Sequence, residues 1–223
     1  MSLAVEDEAA APAELSLSEQ AYRNLRDQLI MLEIRPGEAI NDSAVAAKLG
    51  IGRTPVREAL KRLEIDHLVI SYPRRGTFAT RVDITELADI SEIRELLEPL
   101  AARRAARTAT ADMRARLREL AADIAGSGPG GADQQALMRY DIMVHRQIYA
   151  AAANPHLEDA LIRYDNLATR IWCLVLDKIP SVAGHIIEHV ELLEAIADGD
   201  AELAGSLALG HVTSFEKTVR SVL

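Results

Sequence analysis

Apolar positions recur at helical spacing along most of the chain, and the places where this spacing breaks separate the predicted elements. The first apolar repeat covers residues 17–32, predicts an amphipathic helix, and ends in a turn at Pro36-Gly37. A second, shorter helix is predicted between Asn41, a competent N-cap, and Gly50, a residue typical of the position just past a helix. The segment therefore begins with two helices joined by a turn.

A third helix and a hairpin complete this segment. Three residues, 51–53, separate the second helix from the third, whose first turn can hold Pro55. Two short runs follow, LVISY and TFATR, which are enriched in β-branched and aromatic residues and are separated by Pro-Arg-Arg-Gly at 73–76. Two helices around a tight turn, followed by a hairpin with a basic tip, form a winged helix-turn-helix, which we predict over residues 16–81.

The remainder, residues 82–223, is predicted to be helical throughout. Its six predicted helices cover residues 83–107, 110–126, 133–152, 155–178, 182–199 and 201–222. The run GSGPGG between the second and third of them predicts a flexible interhelical loop. Antiparallel helices with short connections form a bundle, and the segment has neither a βαβ alternation nor a glycine-rich phosphate loop. The predicted fold class is mainly α, with an N-terminal winged helix-turn-helix followed by an all-helical bundle of about six helices.

Charge is distributed unevenly between these two segments. The formal net charge is −9, yet residues 16–81 carry 11 basic and eight acidic side chains, whereas residues 82–223 carry 14 and 22. An acidic surface repels a polyanion, so the helical remainder could not by itself bind nucleic acid. The basic surplus is confined to the predicted winged helix-turn-helix.

Composition also indicates the cellular compartment in which the protein is expected. Residues 1–15 hold four acidic residues and no basic one, and they predict a disordered tail rather than a signal peptide. The single cysteine, Cys173, cannot form an internal disulfide, which favours a reduced environment. No apolar stretch approaches the roughly 20 residues that a membrane span requires. We therefore expect a cytoplasmic protein without membrane contact.

Basic side chains concentrate on the third helix and on the tip of the hairpin. Arg53, Arg57 and Lys61 recur every fourth residue on one helical face, and apolar residues of the same helix occupy another. Guanidinium groups on such a face can reach phosphates and guanine edges, although a basic row is also typical of an ordinary solvated surface. The order of the elements favours DNA. The candidate DNA-binding residues from this pattern are Arg53, Arg57, Lys61, Arg62, Arg75 and Gly76.

Histidines of the helical remainder form a candidate metal site. Asp141 and His145 are four residues apart and leave the same helical face. Together with His189 and His211 on two later helices, they could direct one carboxylate and three imidazoles at one point, a set that suits Zn²⁺, Ni²⁺, Co²⁺ or Mn²⁺. By spacing alone, His185 is an equal candidate, and each histidine could instead be an ordinary core or surface residue.

The first segment resembles a known family. The stretch AVAAKLGIGRTPVREALKRLEIDHLVISYPRRGTFAT is similar to the winged helix-turn-helix of GntR-family bacterial transcription regulators, through its small-residue turn, the run RTPVREAL and the Arg-Gly of the wing. The resemblance implies that Arg53 and Arg57 contact bases or backbone of a DNA operator. It also implies that Thr54 contacts a phosphate and that Gly76 lies at the wing tip. Ser43 departs from members of the family that carry a DNA-contacting arginine there.

Residues 82–222 resemble the all-helical FCD effector domain of the FadR-type branch of this family, and six helices suggest the VanR-like subgroup. The likeness rests on EIRELLEPLAA, on Asp-x-x-x-His in a middle helix, on EHVELLEAIADGD and on a histidine in the last helix. In that domain an aspartate and three histidines bind a divalent metal. Matched position by position, the resemblance implies a site of Asp141, His145, His189 and His211, and it leaves His185 outside.

The resemblance further implies a small organic acid as effector beside the metal. Arg94 is the candidate for pairing with the acid's carboxylate, because a guanidinium can donate two parallel hydrogen bonds. The alternative for Arg94 is a solvent-exposed ion pair with Glu98 or Glu95. Asn166 and Arg163 are further candidates for lining the cavity.

These features predict a ligand-responsive repressor or activator rather than an enzyme. A homodimer formed through the helical domains would place two recognition helices on a pseudo-palindromic double-stranded operator. Two alternatives remain. One is a metal sensor, in which the ion is itself the signal. The other is a metal-dependent hydrolase, which lacks a convincing general base in this sequence and leaves the winged domain unexplained.

Overall fold

The structure is a computed structural model that describes residues 15–127, 133–179 and 181–223. The predicted tail of residues 1–15 lies outside the described residues except for Leu15, and so does most of the predicted GSGPGG loop. The chain forms two compact units. Of the described residues, one unit contains those up to Gln28 together with Gly37–Thr80, and the other contains Leu29–Pro36 and those from Arg81 to Leu223. Within the described part of the chain, no helix is both long and apolar enough to cross a lipid bilayer.

The N-terminal segment is the predicted winged helix-turn-helix. Its elements are α1 (Leu17–Ile30), β1 (Ala39–Ile40), α2 (Asp42–Leu49), α3 (Arg53–Ile65), β2 (Val69–Tyr72) and β3 (Gly76–Ala79). The three strands form an antiparallel sheet in the order β1-β3-β2. Tyr72 pairs with Gly76, so a three-residue turn forms the tip of the wing. The sequence pattern did not predict β1, which is only two residues long.

Local signals set the ends of the helix-turn-helix. The side chain of Asn41 accepts hydrogen bonds from the backbone amides of Ser43 and Ala44, which caps the start of α2. Gly50 ends α2 with φ 67°, a left-handed conformation that costs glycine little. Gly76 has φ 97° at the first position of β3, so the backbone of the wing also depends on glycine.

The second unit is the predicted helical bundle. Its helices are α4 (Leu87–Thr108), α5 (Ala111–Ser127), α6 (Gln134–Ala151), α7 (Pro155–Val175), α8 (Ala183–Asp198) and α9 (Ala201–Ser221). Short 3₁₀ turns precede α4 at Ile84–Glu86 and follow α7 at Leu176–Lys178. The six predicted helices and the mainly α fold class are confirmed. The chief difference is that both 3₁₀ turns fall in stretches predicted as α-helix.

The helices bury a core composed largely of alanine, leucine and isoleucine. Helix α4 packs against α6, α7, α8 and α9, and α5 packs mainly on α8. The core residues include Ala101, Ala105, Leu161, Leu193 and Ile196, all of them fully buried. Because α4 contacts four other helices, side chains from several parts of the sequence meet around it.

A substitution in this core should destabilise the helical unit strongly. Leu193→Ala is expected to lower the free energy of unfolding by about 2–5 kcal/mol, because it leaves a cavity in a close-packed interior. Ile187→Ala, on the same helix but 51% exposed, should change it by no more than about 0.5 kcal/mol. Urea unfolding followed by the fluorescence of Trp172, the single tryptophan, reports on this unit alone. If both variants lowered the free energy of unfolding equally, the assignment of Leu193 to the core would be wrong.

Candidate DNA interface and metal centre

Helix α3 presents two arginines that share one acidic partner. Arg57 donates through Nε to Asp42 Oδ2 at 2.6 Å, and Arg53 Nη2 lies 3.2 Å from each carboxylate oxygen of Asp42. The side chains of Arg53 and Arg57 remain 55% and 60% exposed. The hydrogen bond from Arg57, followed by that from Arg53, lowers the pKa of the Asp42 carboxyl. The two arginines thus form one charged cluster on the predicted DNA-facing side.

A groove of about 580 Å³ lies beside this cluster. Its lining combines the start of α2, the exposed face of α3 and the wing, and includes Asp42, Ser43, Arg57, Lys61, Gly76 and Thr77. The remaining predicted contacts Thr54 and Arg75 are exposed at the start of α3 and in the turn of the wing. The amide of Arg75 donates to the carbonyl of Tyr72 at 3.1 Å, which closes that turn. The structure therefore puts Arg57, Lys61 and Gly76 around one concave surface.

Arg62, another predicted DNA-binding residue of α3, does not line this groove and contacts α1, so its role at DNA stays a prediction. Its guanidinium donates to Glu19 on α1 at 2.8 Å and lies over the ring of Tyr22, 3.9 Å from the ring centre. Tyr22 in turn donates to Asp66 at 2.7 Å. In α3, Arg62 follows Lys61 by about 100° of helical rotation, so its side chain faces α1 and links two helices.

In the helical unit, the four predicted metal ligands come together. Asp141 and His145 are on α6, His189 is on α8 and His211 is on α9; all four are buried, and their ligand atoms lie within 4.8 Å of one another. His145 Nε2 lies 3.4 Å from His189 Nε2 and 3.3 Å from His211 Nε2. Asp141 Oδ1 lies 3.6 Å from His189 Nε2. Three imidazole nitrogens and one carboxylate therefore converge at the meeting point of three helices.

His185 lies beside this group. Its Nε2 is 3.5 Å from Asp141 Oδ1, its ring stacks on His211 with centroids 4.0 Å apart, and its other neighbour is Trp172, at 4.7 Å. Its position between Trp172 and His211 gives His185 a packing role. It also forms a second cluster of possible ligand atoms with Glu188 and His211.

The site's electrostatics suit a cation. Burial, reinforced by the neighbouring histidines, lowers the pKa of His189 and His211 well below the ordinary value, so both imidazoles are neutral and keep a lone pair. Burial also raises the pKa of the Asp141 carboxyl. Burial alone would lower the pKa of His145, but Glu98 and Asp141 raise it to about 9. A metal that binds His145 displaces this proton, because only the neutral imidazole is a ligand.

The other ring nitrogen of each histidine has a partner that orients the ring. These partners of Nδ1 are Glu188 Oε2 for His211 at 2.9 Å, the carbonyl of Ile186 for His189 at 3.2 Å, and the hydroxyl of Tyr149 for His145 at 3.2 Å. Ser214 donates to the second oxygen of Glu188 at 2.9 Å. Such contacts behind metal-binding histidines fix the ring so that the opposite nitrogen faces the ion. Glu188 and Tyr149 could not be recognised from the sequence, because their partners are on other turns or helices.

The residue set fits a divalent transition metal. Asp141 Oδ1 is buried and has no hydrogen-bond partner among the described residues, an arrangement that costs free energy unless a cation or water satisfies it. One carboxylate oxygen and three imidazole nitrogens are the ligands that zinc, nickel, cobalt and manganese accept. The predicted ligand set is therefore geometrically consistent with a metal.

Arg94, the first predicted effector contact, is buried in an ion pair. It donates through Nε and Nη2 to Glu98 Oε1 at 3.1 and 2.9 Å, and it lies 3.6 Å from Asp165 Oδ1. Burial alone would raise the pKa of Glu98, but Arg94 and then His145 lower it to about 2. The alternative ion pair with Glu98 is thus present, although the expectation that it faces solvent was wrong.

Asn166, the second predicted effector contact, is buried on α7. Its Oδ1 accepts a hydrogen bond from Arg146 Nη2. Its Nδ2 has no hydrogen-bond partner in the described part of the chain. A buried amide with a spare donor is the kind of group that an anionic ligand can satisfy.

The fold and these two sites define a class of protein: a DNA-binding transcription regulator with a helical effector domain. Residues 17–79 match the model of the bacterial regulatory proteins of the gntR family, and residues 89–214 match that of the FCD domain. The chain belongs to the GntR family of bacterial transcription regulators and carries an FCD domain. This confirms the resemblance seen in the sequence.

Individual relatives agree with this membership. The chain is 29% identical over 191 residues to an HTH-type transcriptional regulator in an unstable DNA locus of Streptomyces ambofaciens, covering 86% of this chain and 80% of that protein. It is 28% identical over 184 residues to the Nta operon transcriptional regulator of Aminobacter aminovorans, covering 82% and 85%. The solved structure of E. coli McbR/YncC has the same fold, with a TM-score of 0.80 at 23% identity, covering 93% of this chain and 99% of that one. The two relatives found by sequence are both named as transcription regulators, which agrees with the family models and favours a regulator over the hydrolase alternative.

Proposed function

We propose that the chain is a ligand-responsive repressor or activator that binds a pseudo-palindromic operator as a homodimer, with a metal-assisted pocket for a small organic acid in its helical unit. The observation that carries the proposal is the convergence of three imidazole nitrogens and Asp141 inside an FCD domain. We keep the VanR-like subgroup as a prediction from the six helices.

In this proposal, Asp141, His145, His189 and His211 hold the ion, and Glu188 orients His211 toward it. A bound divalent ion supplies a Lewis-acid position at which a carboxylate oxygen of the effector can bind. The surrounding burial excludes water, which strengthens the attraction between the site and an anion. The site would therefore select small molecules that carry a carboxylate.

Arg94 and Asn166 are the proposed protein contacts to the effector. Two nitrogens of Arg94 already donate to Glu98, so an acid would share the guanidinium with that carboxylate. The unpaired Nδ2 of Asn166 supplies a donor without disturbing an existing ion pair. An effector bound across α4, α6 and α7 could shift these helices against one another, because Arg94, Arg146 and Asn166 lie on those three helices.

A homodimer through the helical unit is supported by exposed apolar residues. Leu96 and Leu100 lie one turn apart on α4 and are 71% and 45% exposed. Residues four apart share one helical face, so both side chains are available there to a second copy of the chain. The proposed operator contacts of each copy are Arg53, Thr54, Arg57, Lys61, Arg62, Arg75 and Gly76. We rank Arg62 last among them because its guanidinium also contacts Glu19 and Tyr22 on α1.

The effector part is tested by adding metal and acids to the protein bound to a duplex selected from a random library. With manganese or zinc present, particular mono-, di- or tricarboxylic acids should change DNA affinity by about fivefold or more. Asn166→Ala should weaken this response while keeping the metal, whereas Asp159→Ala, exposed on the same helix, should leave it unchanged. Unchanged DNA affinity at saturating acid would contradict the effector role. A change driven by metal alone would support a metal sensor instead.

A further inference from the structure

An acidic side chain lies at the centre of the proposed DNA-binding surface. Asp42, the first residue of α2, contacts both Arg53 and Arg57 and lines the same groove as Arg57, Lys61 and Gly76. A carboxylate on a surface that approaches phosphates weakens binding to any DNA, because it cancels part of the basic charge. The presence of Asp42 there calls for a physical reason.

Capping of α2 does not supply that reason. Asn41 accepts the amide hydrogen bonds of Ser43 and Ala44, and the Asp42 carboxylate accepts none from the backbone amides at the start of the helix. The Asp42 carboxylate has its hydrogen bonds elsewhere: Oδ2 accepts from Arg57 and Arg53, and Oδ1 accepts from Arg53 and lies near the hydroxyl of Ser43. Its contacts are thus mostly with the recognition helix.

These contacts restrict two side chains that would otherwise be mobile. An arginine side chain carries about 2 kcal/mol of rotamer entropy, which it loses when it binds a base in one orientation. Arg57 donates to Asp42 through Nε, a geometry in which the two terminal nitrogens can still donate to the acceptors of a guanine edge. Arg53 uses Nη2 on the same carboxylate, so one acid fixes the relative position of two guanidinium groups.

We propose that Asp42 is a positioning residue for operator recognition, which lowers affinity for DNA in general and raises discrimination between sequences. The inference rests on the proposed roles of Arg53 and Arg57 as operator contacts. Asp42 acts by holding the arginines in the orientation that fits the correct bases. On other sequences the held arginines fit poorly, while the negative charge still opposes the phosphates.

The test compares binding selections from a randomised 30-base-pair duplex library. The proteins are the wild-type chain, Asp42→Asn, Asp42→Ala and the control Glu58→Gln. Glu58 is an exposed acid on α3 that forms no ion pair with Arg53 or Arg57 in the described part of the chain. The affinity of each protein is then measured for the selected duplex and for a shuffled duplex over a series of salt concentrations.

Both Asp42 variants should bind the shuffled duplex at least as tightly as the wild type, and their preference for the selected duplex should fall about tenfold, the discrimination expected from one arginine–guanine contact. The base pairs that lose enrichment should be those also lost in Arg57→Ala. Glu58→Gln should strengthen binding to both duplexes equally and keep the preference. Asp42→Asn preserves the size of the side chain, and thermal unfolding identifies a variant that fails to fold.

Two results would overturn the inference. In the first, both Asp42 variants prefer the selected over the shuffled duplex as strongly as Glu58→Gln does, within a factor of two. The ion pairs of Asp42 with Arg53 and Arg57 would then be ordinary surface contacts. If the enrichment lost in the Asp42 variants involves other base pairs than those lost in Arg57→Ala, Asp42 does not act through Arg57. A wild-type chain that enriches no sequence would instead refute the proposed operator binding itself, and this inference with it.

Discussion

Replacing His189 with alanine should remove the divalent ion from the helical unit. Wild-type protein purified without chelators or metal-charged resin is expected to contain about one ion per chain, and His189→Ala very little. The reason is that His189 is fully buried and supplies a nitrogen 3.4 Å from that of His145, so its loss leaves three ligands and a cavity. Elemental analysis by mass spectrometry measures the content directly.

A titration makes the same test quantitative. Trp172 is the single tryptophan and contacts the ring of His185, which stacks on His211, so its fluorescence should respond when an ion binds. Glu188→Gln should weaken metal binding about 10–100-fold, because His211 loses the carboxylate that orients it. His156→Ala, an exposed histidine on α7, should bind as the wild type does. Equal ion content in wild type and His189→Ala, or none in either, would mean that the histidines are only structural.

The metal content of a His185→Ala variant shows whether His185 or His189 is the ligand. His185→Ala should keep the ion, because the imidazole nitrogens that converge belong to His145, His189 and His211. Sequence spacing could not make this distinction, because residues 185 and 189 lie on the same face of α8. The family resemblance did so, and the structure adds the physical difference: His189 Nε2 faces His145, while His185 packs between two aromatic rings. Loss of the ion in His185→Ala would move the site toward the second cluster with Glu188.

The helices could be predicted because their ends carry local signals. Gly50 and Gly199 both adopt left-handed φ at helix C-termini, and Asn154 caps α7 ahead of Pro155. Strand β1 could not be predicted in this way. Its two residues pair with β3, nearly forty positions later, and so short a segment has no periodicity of its own.

Contacts within the sites that depend on distant parts of the chain could not be predicted from the sequence either. The Arg94–Glu98 pair has the i,i+4 spacing of a surface ion pair, yet Tyr149 and Asp165 from other helices close over it and bury it. Arg62 follows the basic row of α3 but turns to α1, because Glu19 and Tyr22 offer it a carboxylate and a ring. Asp42 meets Arg57 across 15 residues. In each case the partner is set by packing and not by spacing along the chain.

Replacing Arg57 should weaken DNA binding strongly, whereas replacing Arg62 on the same helix should not. Arg57→Ala should weaken binding to the selected duplex by about 1–3 kcal/mol, or roughly 5- to 150-fold, because it removes an exposed guanidinium from the groove. Arg62→Ala, the matched control on the same helix, removes an equal charge but contacts α1. It should lower stability slightly and leave sequence preference intact. Fluorescence anisotropy with selected and shuffled duplexes measures both quantities.

Salt dependence separates a base contact from a phosphate contact at Arg57. If Arg57 binds a base edge, Arg57→Ala loses affinity mainly for the selected duplex and the salt slope changes little. If Arg57 binds a phosphate, affinity falls for both duplexes and the slope decreases by about one. If Arg62→Ala loses more DNA affinity than Arg57→Ala, neither contact by Arg57 is the main one. Arg62 would then be the more important operator contact. The position of Arg57 in the groove, held through Nε by Asp42, favours the base contact.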